Sequence, residues 1–295
     1  MRSLLITGAS GFLGGHLCRY SQTDWQIWGT YHTQAINLPG VKLLPLDLTD
    51  GQSLQTCWDQ ARPDAVIHTA ALSKVGQCQY NPDRSYQINV AGTVQLAKRC
   101  AQAEIPLIFT STDLVFDGDH PPYGERDLPH PINIYGEHKA MAEAAALTHY
   151  PAVTICRLPL LMGAAIGTAQ CFVQGLLAAI AANTPQTLFT DEIRTPASVT
   201  DVVQGLHLVL DQGVSGIWHL GGPEQLSRYD LGLLIAESFD VSKINLKPGL
   251  QSSVKLSIPR PKDVSLNSQK AMALGYAPQF PKAALREISQ SSRAI

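Results

Sequence analysis

The segment IYGEHKAMAEAAALTHY, residues 134–150, places a tyrosine four residues before a lysine at the head of an alanine-rich stretch. If this segment is helical, Tyr135 and Lys139 lie on one face, because positions i and i+4 are neighbours on a helix surface. An ammonium close to a phenol favours the phenolate and lowers the phenol pKa from about 10. A tyrosine tuned in this way can act as a general acid and base. Two unrelated surface side chains would show the same spacing, so the rest of the sequence must distinguish the two interpretations.

A second segment, FTSTDLVF at residues 109–116, carries three hydroxyl side chains and reads as a β-strand. Alternation along a strand places Thr110 and Thr112 on one face and Ser111 on the other. A hydroxyl at the carboxyl end of a parallel strand faces the crevice in which open α/β sheets bind ligands. We therefore expect the hydroxyl of Thr112 to orient a substrate. We expect those of Thr110 and Ser111 to bond to nearby backbone.

Three glycines at regular spacing follow the first apolar run of the chain, in TGASGFLGG. Glycine there permits a tight turn and a close approach of the backbone to a pyrophosphate, and the following helix N-terminus supplies N–H groups and partial positive charge. The spacing is G-x-x-G-x-x-G, whereas the older dehydrogenase pattern is G-x-G-x-x-G. We predict that this loop binds a dinucleotide. The residues assigned to it are Gly8, Ser10, Gly11, Phe12, Leu13 and Gly14.

The residues after the second and third predicted strands bear on which dinucleotide is bound. An acidic residue at the end of the second strand would bind the ribose hydroxyls of NAD and repel a 2′-phosphate. That position reads TYHTQ, in which Tyr31, His32 and Thr33 are candidates and none is acidic. We therefore predict NADP(H), with NAD(H) as the alternative because no arginine is nearby to clamp the phosphate. In PLDLTD, Asp47 and the adjacent Leu48 follow the third strand, where Asp47 could accept from the adenine amino group or cap a turn.

The elements that must position these residues alternate along the first half of the chain. Short apolar or β-branched runs are separated by helical stretches of about a dozen residues, which is the length that a parallel crossover needs. The sequence therefore predicts an α/β fold, a doubly wound parallel sheet of the Rossmann type. We assign residues 1–160 to this dinucleotide-binding domain. Residues 161–295 are assigned mainly to a smaller C-terminal substrate lobe, with some segments returning to the sheet.

Several helices are predicted in detail. They span residues 53–60, 83–103, 169–182 and 200–210. A further helix opens with SRYD, where Ser227 can cap the N-terminus and Asp230 can answer as in a capping box. We expect the tail after residue 290 to be disordered.

Composition excludes several classes of partner and site. The chain has 295 residues, 45% of them hydrophobic and 16% charged, with a formal charge of -2. It therefore offers no clustered basic surface for nucleic acid or an anionic membrane. No stretch approaches the roughly 20 apolar residues of a spanning helix, so we expect a cytoplasmic protein. Six scattered cysteines form no C-x-x-C pair, so we expect reduced thiols and no metal site.

Several motifs together resemble the extended short-chain dehydrogenase/reductase family. They are TGASGFLG, LDLTD, the pair Ala70 and Ala71, QINVAGT with Asn89, TSTDLVFDG, and Tyr135 with Lys139. The similarity to the dTDP-4-dehydrorhamnose reductase branch covers nearly the whole chain, through TSTDLVFDG, PPYGERDLPHPINIYGEHK, RLPLLMG, DEIRTPASVTDVV, HLGGPEQLSRYDLG and RPKDVSLNSQKAMALG. The resemblance implies that Ala70 and Ala71 line the nicotinamide side of a bound cofactor. It also implies that Asn89 holds the neighbouring helix and backbone.

The resemblance further implies a reductase that transfers hydride from NADPH to the 4-keto carbon of a nucleotide-linked 6-deoxy sugar. Thr112 would orient the carbonyl oxygen and Tyr135 would protonate it. Lys139 would hold the nicotinamide ribose and tune Tyr135. The substrate diphosphate needs a cationic partner, and the candidates are Arg194 in EIRTP and Arg260 in PRPKD. The family implies a monomer or a homodimer.

Two departures from the branch pattern keep other functions open. Leu114 stands where the branch has the tyrosine of T-D-Y, and residues 75–79 read VGQCQ where acidic residues are common. The chain is also similar to the β subunit of methionine adenosyltransferase, a cofactor-binding regulatory protein, over PPYGERDLPHPINIYG and HLGGPEQLSRYD. A nucleotide-sugar epimerase with tightly bound NAD would use the same three catalytic residues.

Overall fold

In the computed structural model, which describes residues 1–293, short apolar runs form strands and the segments between them form helices. The strands of residues 1–293 are β1 (Arg2–Thr7), β2 (Trp25–Tyr31), β3 (Lys42–Pro45), β4 (Ala65–His68), β5 (Leu107–Thr112), β6 (Thr154–Leu158), β7 (Leu161–Met162), β8 (Gln186–Phe189), β9 (Ile193–Arg194), β10 (Ala197–Ser198), β11 (Gly216–His219), β12 (Leu226–Ser227) and β13 (Leu246–Gly249). The α-helices of the same residues are α1 (Phe12–Tyr20), α2 (Gly51–Ala61), α3 (Val75–Tyr80), α4 (Pro82–Tyr86), α5 (Gly92–Ala103), α6 (Ile134–His149), α7 (Phe172–Ala181), α8 (Val199–Asp211), α9 (Arg228–Ser238), α10 (Gln269–Leu274) and α11 (Pro281–Arg293).

Seven strands form one parallel sheet in the order β11-β6-β5-β4-β1-β2-β3. Parallel strands that are covered on both faces read as continuous apolar runs, and Leu4, Leu5 and Ile6 of β1 are fully buried. The strand order reverses between β1 and β4, which opens a crevice at the carboxyl ends of these strands. The doubly wound α/β fold predicted from the sequence is confirmed.

Helices cover both faces of this sheet. On one face, α1 and α8 pack through Leu17 and Leu206. On the other, α2, α5 and α6 pack through Leu54, Leu96 and Ala142. Each fully buried leucine of this kind stabilises the fold by about 1.5–3 kcal/mol, so the strand ends that form the crevice are held by well-packed layers.

The second half of the chain contributes to the sheet and also builds a further core. Strand β11 pairs with β6 at the edge of the sheet, and α8 packs against α1. Helices α7, α9 and α11 enclose a separate apolar cluster that includes Leu176, Ile235 and Leu285. Within residues 1–293, two-stranded sheets pair β10 with β7, β12 with β9 and β13 with β8. Residues after 160 therefore extend the sheet and also build a second apolar core.

The helices predicted from the sequence form with small shifts at their ends. Residues 83–103 are helical, but they comprise most of α4, a π-helical turn at Gln87–Ala91, and α5. Ser227 caps α9 as predicted and accepts from the N–H of Asp230 at 3.0 Å. The expected disorder after residue 290 is wrong for residues 291–293, which complete α11. Residues 294–295 lie outside the described residues.

Candidate active site

A cleft of about 520 Å³ opens at the carboxyl ends of the parallel strands. Its walls come from the ends of the strands, from the turns that follow them, and from the first turns of α1 and α6. We call it the glycine-loop cleft. It brings together nearly all residues assigned above to catalysis or to cofactor binding, namely Gly8, Ser10, Gly11, Phe12, Leu13, Gly14, Tyr31, His32, Asp47, Leu48, Ala70, Ala71, Thr112, Tyr135 and Lys139.

The glycine loop fits a dinucleotide because side chains could not occupy its place. Gly8 has a φ of +76°, and a Cβ there would lie 2.8 Å from the Cα of Ala70. A Cβ on Gly14 would collide with the carbonyl oxygen of Gly8. Gly11 precedes α1 and provides no side-chain cap, so N–H groups of the first helical turn remain available at the cleft. The backbone itself therefore forms the cradle that an anionic pyrophosphate requires.

Tyr31, His32 and Asp47 form the end of the cleft that lies beyond β2 and β3. The Nε2 atom of His32 lies 3.6 Å from a carboxylate oxygen of Asp47. Asp47 also accepts from the hydroxyl of Thr49 at 2.7 Å and from its N–H at 2.8 Å, and these bonds lower the pKa of Asp47. Asp47 therefore caps its own turn, which is one of the two roles left open by the sequence, and places a negative charge beside His32.

Helix α6 carries the tyrosine and the lysine to the wall next to β5. Asn133 caps this helix and accepts from the N–H of Gly136 at 2.9 Å. A Cβ on Gly136 would collide with the carbonyl oxygen of Leu114, so glycine is what allows α6 to pack closely against the end of β5. This packing places Tyr135 and Lys139, one turn apart, on the wall of the cleft.

The electrostatics of this pair differ from the sequence expectation. Burial raises the pKa of Tyr135, the nearby Asp113 adds to the increase, and Thr112 opposes it. The ammonium of Lys139 donates to the carbonyl oxygen of Thr110 at 2.7 Å. The expectation that Lys139 lowers the phenol pKa is therefore wrong for this arrangement, because desolvation outweighs any attraction. Tyr135 is held as the protonated acid.

Lys139 is a buried cation with few polar neighbours. Its Nζ atom lies 4.0 Å from the centroid of the Phe109 ring. Burial lowers the pKa of Lys139 to about 7, and Glu143, one turn further along α6, opposes the decrease. The carboxylate of Glu143 is held in turn by Arg157, whose guanidinium lies 2.7 Å away. The lysine can therefore gain or lose a proton near neutral pH.

The three hydroxyls at the end of β5 have different partners. Thr110 donates to a backbone carbonyl oxygen at 3.0 Å, as expected. Thr112 donates to Asp113 at 3.1 Å and accepts from the N–H of Leu114 at 3.2 Å. The buried hydroxyl of Ser111 has no hydrogen-bond partner within residues 1–293, so the expectation that it bonds to the backbone is wrong. Ser111 instead lines the same cleft as Thr110 and Thr112. The alternation of side chains along the strand had placed it on the opposite face.

Asn89 lies behind the cleft and does not line it. Its side-chain oxygen accepts from the N–H of Leu72 at 2.9 Å, and its amide nitrogen donates to the carbonyl oxygen of Leu72 at 3.1 Å. The same amide also donates to Ser85 at 3.2 Å. Asn89 therefore ties the helical segment to the turn after β4, which carries Ala70 and Ala71.

A second cleft, of about 530 Å³, shares Thr112 with the first. We call it the arginine cleft. It is lined by Val75, Gly76, Thr112, Asp113, Leu114, Asn133, Pro159, Leu160, Glu192, Arg194, Arg228, Ile258, Pro259, Arg260 and Pro261. It combines apolar side chains with three arginines, which suits a ligand that has an anionic part.

The arginines of this cleft have different surroundings. Arg194 is only 4% exposed, and its guanidinium donates to a backbone carbonyl oxygen at 2.6 Å and pairs with Asp113 at 3.5 Å. Arg260 is half-exposed and contacts Glu192 at 3.2 Å. Arg228 contacts Glu192 at 2.9 Å. Sequence reasoning missed Arg228 because the SRYD motif indicated only a helix cap, although an arginine directly after an N-cap was visible there.

The cysteines and acidic residues build no further centre in the part of the chain that the structure describes. Within residues 1–293, no group of three His, Cys, Asp or Glu side chains could hold a metal ion. No helix of these residues is long and apolar enough to cross a membrane. All six cysteines are free thiols, and burial raises the pKa of Cys57 to about 11 and that of Cys18 to about 12. These two thiols are therefore protonated at neutral pH.

Known proteins match this chain over most of its length. The RmlD substrate binding domain family matches residues 1–293. The chain is 30% identical over 287 residues to methionine adenosyltransferase 2 subunit beta of Rattus norvegicus, covering 95% of this chain and 84% of that protein. It is 34% identical over 236 residues to a probable low-salt glycan biosynthesis reductase of Haloferax volcanii, covering 79% of this chain and 78% of that protein.

A solved structure shows the same fold. The dTDP-4-dehydrorhamnose reductase of Bacillus anthracis, in complex with NADP, superposes with a TM-score of 0.84 and 25% sequence identity. The superposition covers 99% of this chain and all of that chain. The family match and the superposition both include the two clefts that meet at Thr112. The chain therefore belongs to the RmlD substrate binding domain family.

Proposed function

We propose that this protein is an NADP(H)-dependent reductase of the ketone of a nucleotide-linked 4-keto-6-deoxy sugar. The observation that carries the proposal is the meeting of Thr112, Tyr135 and Lys139 where the glycine-loop cleft adjoins the arginine cleft. The first cleft fits a dinucleotide, and the second fits an anionic ligand with apolar parts. Family membership supports this assignment, as does the related reductase whose structure contains NADP.

When bound, the nicotinamide cofactor supplies the hydride for the carbonyl carbon. The residues of this chain bind the carbonyl oxygen and neutralise the charge that develops on it. Thr112 lines both clefts and Tyr135 lines the glycine-loop cleft, and their hydroxyls serve this purpose. Tyr135 gives its proton to that oxygen as a general acid. Its raised pKa ensures that the proton is present at neutral pH.

Lys139 acts on the cofactor and on the tyrosine in this proposal. The carbonyl oxygen of Thr110 holds its ammonium at 2.7 Å, which fixes the side chain inside the cleft. From there the ammonium would bind the nicotinamide ribose of a bound cofactor. Once Tyr135 has given up its proton, the same positive charge stabilises the phenolate that remains.

We propose NADPH as the preferred cofactor because the residues at the end of β2, Tyr31 and His32, include no acid that would repel a 2′-phosphate. The imidazole of His32 can donate a hydrogen bond to such a phosphate, although Asp47 lies 3.6 Å from it. The test compares the dissociation constants of NADPH and NADH for the wild type and for His32→Asp. The substitution should shift the preference toward NADH. A clear preference of the wild type for NADH would contradict the proposal.

The experiment that tests the reaction mixes the protein with NADPH and a panel of nucleotide-linked keto sugars and follows NADPH oxidation. At least one keto sugar should be reduced. The Tyr135→Phe variant should lose about 10²–10⁴-fold in kcat while its NADPH affinity stays unchanged. Equal rates for the two proteins would remove Tyr135 from the mechanism. A protein that purifies with tightly bound NAD and interconverts epimers would be an epimerase instead.

A second candidate function is that of a regulatory subunit that binds cofactor. The similarity to methionine adenosyltransferase 2 subunit beta over 95% of this chain favours it. Leu114 and Gly76 of the arginine cleft, which stand where the reductase branch has a tyrosine and an acidic residue, also fit a site that has lost sugar recognition. Size-exclusion chromatography with the catalytic methionine adenosyltransferase of the same organism tests this candidate. A stable complex, combined with no reduction of any keto sugar, would replace the reductase proposal.

We further propose that the protein works in the cytoplasm as a monomer or homodimer. Its six cysteines are free thiols, which fits a reducing compartment. Cell fractionation tests the location, and light scattering on the purified protein tests the oligomeric state. A larger assembly, or recovery from an oxidising compartment with paired cysteines, would contradict this proposal.

A further inference from the structure

Glu192 lies in the arginine cleft and is almost completely buried, with 2% of its surface exposed. Its carboxylate contacts three guanidinium groups, those of Arg228 at 2.9 Å, Arg260 at 3.2 Å and Arg194 at 3.6 Å. Asp113 and Asp263 also act on Arg194. The positive charge that is left to attract an anion is therefore that of Arg228 and Arg260, which share the single carboxylate of Glu192.

The three arginines are not equally free to bind that anion. Arg194 is fixed by a backbone carbonyl oxygen and by Asp113. Arg228 and Arg260 have side chains that are 20% and 52% exposed, and each contacts Glu192 through a single nitrogen. A guanidinium has five N–H donors, so these two arginines keep donors for an incoming anion. Arg228 and Arg260 are therefore the arginines of the cluster that have donors available for an anion, whereas Arg194 is held in place.

Arg194 connects this cluster to the hydroxyl of Thr112. Its Nε atom lies 3.5 Å from Oδ2 of Asp113. The other oxygen of Asp113, Oδ1, accepts the Thr112 hydroxyl proton at 3.1 Å. A hydroxyl has one proton to donate, so Thr112 cannot donate to a substrate carbonyl while it donates to Asp113. The contact with Asp113 must change before Thr112 can bind the carbonyl oxygen.

We propose that Asp113 is a positioning residue that takes up a proton when an anion binds in the arginine cleft, and thereby reverses the hydrogen bond with Thr112. This inference rests on the proposed function, because it assigns a consequence to binding of the substrate diphosphate. Negative charge at Arg228 and Arg260 favours the neutral form of a nearby carboxyl group. The neutral carboxyl takes its proton from solvent and donates it to the Thr112 oxygen. The Thr112 proton is then free for the carbonyl oxygen, so the anionic end of the substrate completes the catalytic site.

The surroundings of Asp113 make this change accessible. Burial raises the pKa of Asp113, and the guanidinium of Arg194 limits the increase. Its Oδ2 atom accepts no hydrogen bond from residues 1–293, so the ionised form is weakly held. The charged or titratable groups that act on it from the packed elements are Arg194, Arg228, Glu192 and Tyr135.

The test measures proton uptake when dTDP binds, by calorimetry in two buffers with different ionisation enthalpies. The measurement is repeated at several pH values above the ordinary range of a carboxyl group, because burial raises the pKa of Asp113. Wild type is compared with Asp113→Asn and with the matched control Asp191→Asn. Asp191 accepts from the N–H of Gln251 at 3.0 Å, near the cluster but outside the connection to Thr112. The number of protons taken up by each variant is subtracted from that taken up by the wild type. This subtraction cancels the protons that the diphosphate of dTDP exchanges itself.

On binding dTDP, wild type and Asp191→Asn should take up more protons than Asp113→Asn. The Asp113→Asn variant should lack, at every pH, the proton that Asp113 takes up in the wild type. Equal proton exchange in the three proteins would overturn the inference. Failure of the wild type to bind either dTDP or inorganic pyrophosphate would also overturn it. If Asp113→Asn does not fold, Asp113→Ser serves as the variant without a carboxyl group, and proton exchange equal to that of the wild type would overturn the inference.

Kinetics on a keto sugar found by the panel give a second measurement. Asp113→Asn should lose the part of the pH dependence of kcat that comes from protonation of Asp113, because its side-chain amide cannot take up a proton, while dTDP binding is retained. Thr112→Ser keeps a hydroxyl at this position and should retain the difference in proton uptake. If no keto sugar is reduced, the proposed function fails, whereas the dTDP calorimetry still decides whether Asp113 responds to an anion.

Discussion

The two clefts meet at Thr112, but different chemical groups build them. The glycine-loop cleft is shaped largely by backbone, since Gly8 and Gly14 approach their neighbours too closely for any side chain. The arginine cleft is shaped by long charged side chains whose guanidinium groups share the carboxylate of Glu192. One site offers fixed dipoles of the main chain, and the other offers charges that are already partly neutralised.

This difference implies different responses to ligands and to mutation. A backbone cradle needs no rearrangement when an anion arrives, because its N–H groups already point into the cleft. In the arginine cleft, an anion has to share Arg228 and Arg260 with Glu192, and we expect its negative charge to act on Asp113. The glycine-loop cleft should therefore lose ligand affinity abruptly when its backbone geometry changes. The arginine cleft should lose ligand affinity in steps as single charges are removed.

The largest effect should come from breaking the backbone cradle. A Cβ on Gly14 would collide with the backbone of Gly8, so Gly14→Ala should weaken NADPH binding by at least about 100-fold, which corresponds to about 2.7 kcal/mol. The matched control is Gly175→Ala within α7, where nothing lies within 4 Å of an added Cβ. That variant should bind NADPH normally and gain roughly 0.5–1 kcal/mol of helix stability. Fluorescence titration of NADPH and urea unfolding measure both, and normal affinity in Gly14→Ala would contradict the account of the loop.

A charge deletion in the arginine cleft should have an intermediate effect. Arg228→Met should weaken dTDP binding by about 10- to 100-fold, because hydrogen bonds to charged groups contribute about 1.5–3 kcal/mol. Arg260→Met should have a smaller effect, since its half-exposed guanidinium is screened by water. Calorimetric titration with dTDP measures both, and NADPH affinity should be unchanged in each. A larger loss for Arg260→Met than for Arg228→Met would reverse our ordering of the two arginines.

The buried lysine of the glycine-loop cleft should produce a pH dependence of stability. Burial lowers the pKa of Lys139 to about 7 in the folded state, whereas an unfolded lysine titrates near 10.4. Between about pH 7 and 10 the unfolded state binds more protons, so the free energy of unfolding should rise with pH by up to about 1.4 kcal/mol per unit. Lys139→Met should abolish this component in urea unfolding curves. Identical pH slopes for the two proteins would show that Lys139 titrates normally.

The smallest effect should come from the apolar part of the arginine cleft. Leu114→Tyr restores the aromatic hydroxyl of the reductase branch, and one added hydrogen bond is worth about 0.5–1.5 kcal/mol. The KM for a nucleotide-linked keto sugar should therefore fall by roughly 3- to 10-fold, while the affinity for dTDP alone stays constant. A parallel change in dTDP affinity would mean that Leu114 acts on the anion and not on the sugar.

Much of the fold and of the cofactor site was predictable from local sequence. The strand followed by TGASGFLGG, the alternation of strands and helices, and the i, i+4 spacing of Tyr135 and Lys139 are short-range patterns, and each corresponds to a local geometry. The residues of the glycine loop act through the backbone, so their glycine identity alone indicates their role. The sheet then needed only right-handed parallel crossovers to place these segments at one edge.

The properties of individual charges were decided by tertiary structure. Sequence spacing suggested that Lys139 would lower the pKa of Tyr135, but burial raises it, and burial is a property of the packed molecule. Arg194 and Arg260 looked equivalent in the sequence, yet one is enclosed with Asp113 and the other is half-exposed. The sequence by itself determined the fold class and the cofactor loop, because those depend on neighbours along the chain. Only the folded structure decided which charges of the arginine cleft are buried and which are paired, because desolvation and ion pairing there depend on residues far apart in sequence.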